Sequence, residues 1–237
     1  MFLKYNSSSI SYSHADPSDS EYIPPSSLSF IDCSIPVKSL NGSKSGPTML
    51  ASMFESIHFR QNSAATLKPS VIDSMISRAH ELDLACEGDE FIPSDEGYVS
   101  LFNCLNAVKA DGIAIKGDIV WSNTVPALKQ NIHRYGCSIL EMHLANSFLT
   151  ANATGKFDIP NVGNGEIKVG DYTKAFVAFG YDSTGVIVMN SLGLKWGSLG
   201  FARLAWKCFE DSSTVLLPNG ENERCFIKAA SFKGCFN

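Results

Sequence analysis

Seven cysteines and five histidines are the residues of this chain best suited to nucleophilic or metal chemistry. The cysteines fall at 33, 86, 104, 137, 208, 225 and 235, an odd and irregular set without a CxxC pair. No histidine stands at ligand spacing from them, so neither a zinc site nor any other metal centre is expected, and nothing in the sequence calls for a cofactor. The thiols read as reduced core residues rather than as a disulfide framework. Asp95 and Glu96 directly precede an apolar-periodic run starting at Gly97. Carboxylates in that place complement a helix dipole, so they read as caps and not as an acid/base pair.

Two longer segments carry more specific information. Residues 36–54 read PVKSLNGSKSGPTMLASMF, and residues 174–204 read KAFVAFGYDSTGVIVMNSLGLKWGSLGFARL. The first is similar to the P-V-x-x-Q-G-x-x-G-S-C-W-A-F stretch of papain-like cysteine peptidases. The second resembles the later half of their site, where a histidine opens an HAV…GYD strand and an asparagine opens NSWG…WG…GY. Gly180, Tyr181, Asp182, Asn190, Ser191, Gly193, Trp196, Gly197 and Gly200 match. The pattern of residues 95–114, DEGYVSLFNCLNAVKADGIA, resembles the bacterial and viral branch of the family.

The resemblance places four positions in the site. Gly46 aligns with the glycine two residues before the nucleophile, which puts Thr48 where the family has cysteine. Lys174 takes the place of the histidine, and Asn190 that of the asparagine orienting it. The oxyanion-binding glutamine falls at Asn41 if one extra residue is allowed before Gly46, or on Gly42 without it. The shielding tryptophan is Leu192. Cysteine works as a nucleophile near neutral pH because a paired imidazolium depresses its pKa, and threonine lacks that acidity. These replacements imply lost peptidase chemistry: no catalytic residue is assigned, and the expectation is a protein that is not an enzyme. Asn190 equally reads as a polar residue closing the turn after the strand. The resemblance also sets Thr48 and Lys174 where they could hold a carboxylate, with Asp171 as the internal alternative partner for the lysine.

The elements that must position these residues follow from periodicity. Pro47 suits a helix start, and Leu50, Met53, Phe54 and Ile57 have the spacing of one buried face, which predicts a helix over about 47–60. Further helices are predicted over 69–83 and 97–111, flanking an acidic run at 87–96, and a short one from Thr124 and Pro126 to Gly136. Strands are predicted over 137–144, 174–181, 185–190, 199–206 and 223–230. Helices first and strands afterwards argue for an α+β fold. The resemblance makes it a papain-like two-lobed fold with a helical lobe and an antiparallel β-barrel lobe. Residues 1–27 read as an extended N-terminal arm and 28–237 as the papain-like domain. Within that domain the helical lobe covers about 45–118 and the β lobe about 119–237, with 28–44 crossing over.

Composition narrows the function. A chain of 237 residues with 44% hydrophobic content supports a sizeable core. A net charge of −5 and no Lys/Arg cluster disfavour nucleic acid as a partner. No apolar run is long enough for membrane insertion, and residues 1–13 lack the apolar region of a secretory signal. A reducing location, cytoplasmic or within a virion, is therefore expected. Taken together these readings point to a structural or binding subunit with protein partners in a larger assembly, for instance a virus or phage particle. Two alternatives stand beside it: a hydrolase using Thr48 as nucleophile and Lys174 as base, and a peptide-binding module using the substrate cleft.

Overall fold

In the computed structural model the described residues are 23–31, 45–62, 118–145, 157–159 and 173–233, with isolated positions between them. The strands are β1 Leu28–Ser29, β2 Asp118–Ser122, β3 Ser138–Met142, β4 Asp158–Ile159, β5 Lys174–Tyr181, β6 Gly185–Met189, β7 Phe201–Ala205, β8 Thr214–Leu216, β9 Asn222–Arg224 and β10 Phe226–Lys233. Eight of them form one sheet in the order β2-β10-β3-β5-β6-β7-β4, with β1 pairing the flank of β5, and β8 and β9 pair separately. Pairing within the large sheet is antiparallel except between β4 and β7.

The sheet buries both faces. Along β5, Ala175, Val177 and Phe179 belong to one core, and Phe176, Ala178 and Tyr181 to the other. Strand alternation explains the first five, and the register shift between Ala178 and Gly180 against β6 explains why Tyr181 rejoins the Phe176 side. Helix α1, Ser45–Asn62, covers the first face with Met49, Leu50, Met53, Phe54 and Ile57. Leu101, Cys104 and Leu105, helical residues inside the expected 97–111 helix, join that core. Helix α2, Val125–Tyr135, covers the other face through Leu128 and Ile132.

Local chemistry sets the helix ends. The Thr124 hydroxyl accepts from the Ala127 N–H at 3.4 Å, Pro126 sits in the first turn, and Gly136 closes α2 at φ 85° by donating its N–H to Ile132. Helix α1 runs two residues beyond its expected span at each end. Of the expected 69–83 helix, Ser74, Ser77, Arg78 and Glu81 are described and helical, and an ion pair of 2.5 Å links Arg78 to Glu81.

The strand expected at 223–230 is two elements. Cys225 breaks it, because its N–H donates to Ser213 and its carbonyl accepts from His143 rather than joining one ladder. Strand β2 was not anticipated: it lies at the sheet edge and pairs with β10, more than a hundred residues later. Among the described residues no helix is long and apolar enough to cross a membrane.

Candidate functional site

Strand β5 begins at Lys174 and β6 ends at Met189, and their antiparallel pairing brings those two ends together. Val177 faces Met189, so the register carried one step on sets Asn190 across from Phe176, a residue pair away from Lys174. Lys174 is half-buried; Asn190 is 2% exposed. Thr48 lies in the first turn of α1, the helix packed along β5, and is 1% exposed. Asn41, Gly42 and Asp171 lie outside the described residues.

The Asn190 side chain serves its own turn. Its carboxamide oxygen accepts from the Ser191 N–H at 2.7 Å, and its backbone N–H donates to the Gly200 carbonyl at 3.1 Å. The two ends of the 190–200 segment are thereby tied together. Inside it the N–H of Trp196 donates to Gly193 and that of Gly200 to Trp196, while Ser198 and Phe201 exchange N–H to carbonyl bonds. Gly193, Gly197 and Gly200 sit at φ 80°, 56° and 87°. A Cβ on Gly197 would also lie 2.2 Å from the Phe201 carbonyl oxygen, so glycine is required there twice over. Trp196 is buried against Phe148 and Phe176, with ring centroids 5.7 and 6.3 Å away. Leu192, at the position of the shielding tryptophan, is 39% exposed.

Asp182 closes the turn between β5 and β6. Its carboxylate accepts from the Thr184 N–H and hydroxyl at 2.7 and 2.6 Å, from the Gly185 N–H at 3.1 Å and from the Arg203 guanidinium at 2.5 Å. Burial by itself would raise its pKa; the donors from Thr184, Arg203 and Gly185 outweigh that and lower it to about 2. Arg203 also reaches Asp158 at 2.5 Å, tying β7 and β4 to the turn. Sequence reasoning missed this cluster, since its members lie 21 and 45 residues apart and no local pattern links them. Among the described residues no group of three or more His, Cys, Asp or Glu side chains could hold a metal ion.

No known family profile matches the sequence, and no curated protein matches it. Solved structures do. Xylellain, a cysteine protease from Xylella fastidiosa, superposes with a TM-score of 0.65 at 11% identity over 90% of this chain and 87% of that one. The bromelain protease from Ananas comosus, in complex with the E64 inhibitor, gives 0.58 at 16% identity over 89% and 100%. Digestive procathepsin L 3 of Tenebrio molitor gives 0.60 at 13% identity over 90% and 71%.

These neighbours correct one expectation. Replacement of the residue types at 48 and 174 suggested a protein that is not an enzyme, yet the fold is shared along nine-tenths of the chain with proteins described as proteases. The frame that carries catalysis in those proteins is present, so an exclusion drawn from residue types alone does not stand. From the two-faced sheet, the helix packed along β5 and the glycine-rich turn after Asn190, together with these superpositions, it follows that the chain has the α+β, two-lobed papain-like fold.

Proposed function

We propose that the protein acts by binding protein segments, as a subunit of a larger assembly. The observation that carries this reading is the inward engagement of the site's polar groups. Thr48 is almost fully covered, and Asn190 spends its carboxamide oxygen on the neighbouring Ser191 N–H. Polar side chains already engaged within the chain keep the frame preorganised, which suits it to binding a protein segment.

The test is the size of the protein in a native extract. Gel filtration with immunodetection should place it in a species well above its own 25.7 kDa. Recovery as a free monomer at low and at physiological salt would overturn the subunit reading.

A second reading keeps catalysis in view. Packing of α1 along β5 brings the element that carries Thr48 against the strand that Lys174 opens. A lysine can act as a base toward a hydroxyl nucleophile, and a hydrolase using Thr48 and Lys174 is this second reading. Turnover of a broad peptide library that disappears in Thr48→Ala and in Lys174→Gln would establish it. Turnover that survives both substitutions would reject this pair.

A further inference from the structure

Three of the four large apolar side chains exposed among the described residues lie on the single turn after Asn190: Leu192 at 39%, Leu194 at 59% and Leu199 at 71%. A lone surface leucine needs no explanation; three within eight residues form a patch. Leu199 adds a second anomaly. It is the one described non-glycine residue with a positive φ, 54°, and it stands between Gly197 and Gly200, which share that conformation. A bulky side chain is thus held in a conformation suited to glycine, and in the isolated chain it buries little in return.

The charge of this surface is also distinctive. No Asp or Glu occurs between Asp182 and Glu210, although the chain as a whole carries −5. Lys195 stands exposed among the leucines. The turn is therefore apolar with one exposed lysine, on an acidic protein, which suits an occupant that is apolar and acidic.

The chain itself encodes such a segment. Residues 87–96 read EGDEFIPSDE, with Phe91, Ile92 and Pro93 set between Glu87, Asp89 and Glu90 on one side and Asp95 and Glu96 on the other. No lysine or arginine occurs between Arg78 and Lys109 to offset them. We infer that the 192–199 turn is the docking surface for the 87–96 segment of a second copy of this chain. The apolar centre of the segment covers the leucines, and its flanking carboxylates face Lys195. Because the two patches differ, a single contact leaves the docked pair one free patch of each kind, and association proceeds further unless the two copies exchange segments reciprocally or a larger ring closes.

This inference deepens the subunit reading by naming the partner, and it is tested separately on the purified full chain. Sedimentation velocity should show a weight-average mass rising above 25.7 kDa with protein concentration and falling back as salt is raised. Leu194→Asp, at an exposed position, should weaken association about tenfold or more. Leu199→Gly should weaken it too, while leaving the fold intact, because glycine adopts that φ freely. An excess of a synthetic peptide of residues 87–96 should dissociate the oligomer. A single 25.7 kDa species at every concentration overturns the proposal, as does association untouched by Leu194→Asp or by the peptide. A purified monomer that nonetheless elutes within a large complex in native extract would reject self-docking and leave the subunit reading standing.

Discussion

Asp182 shows how a residue matched as part of a site motif can owe its place to structure. Its carboxylate collects donors from Thr184, Gly185 and Arg203 and thereby holds the β5–β6 turn and β7 together. Folding lowers its pKa from 3.8 to about 2. Since the folded group gives up its proton more readily than the unfolded one, its contribution is present above about pH 4 and is lost as pH falls through 2. With the side chain 28% exposed, we expect that contribution to be about 1–2 kcal/mol. Urea denaturation of wild type and Asp182→Asn should differ by this amount at pH 6 and converge near pH 2. An equal gap at both pH values would show that the carboxylate's charge is not the source.

At the scale of elements, close backbone approach explains a glycine that motif matching alone leaves unexplained. β1 lies against β5 with Ser29 opposite Gly180, and a Cβ on Gly180 would sit 2.3 Å from the Leu28 carbonyl oxygen and 2.9 Å from the Ser29 Cα. Both contacts are with backbone, so no rotamer change can relieve them. Gly180→Ala should push β1 off the sheet and cost about 2 kcal/mol in denaturant unfolding. Amide exchange should report the loss locally, at the Phe30 N–H that donates to Phe179 at 2.7 Å. Unchanged protection of that amide in the variant would place the strain elsewhere.

At the scale of the whole molecule, the two cores on opposite faces of one sheet also decide the state of the cysteines. Cys104 and Cys137 lie in the core under α1, and Cys208 and Cys225 in the core on the other face; all four are buried. Burial raises the Cys225 thiol pKa, an effect only partly offset by the Ser213 hydroxyl at 3.3 Å. Thiolate is the reactive form, so these groups should resist alkylation in the native state and react once denaturant exposes them. Mass spectrometry after iodoacetamide labelling, with and without denaturant and no reductant, tests this. Labelling of Cys208 or Cys225 in the folded protein would contradict the burial, and failure to label them after unfolding would reveal disulfides.

Much of the fold was legible because local physics wrote it into the chain. The spacing of Leu50, Met53, Phe54 and Ile57 announced α1, the Thr124, Pro126 and Gly136 signals bounded α2, and the apolar runs at 174–181 and 185–189 are β5 and β6. The glycines of the 190–200 turn marked a place where left-handed backbone recurs. Pairing across long separations was not legible. β2 meets β10 far along the chain, and Arg203 joins Asp158 and Asp182 from three separate elements, so no window of sequence contains their reason. At the site, the resemblance of two segments to a family motif put forward positions 48, 174 and 190 as candidates. Only the tertiary structure showed Thr48 covered, Asn190 spent on its own turn and three leucines turned outward beside it, because exposure is a property of what packs against a residue and not of the residue itself.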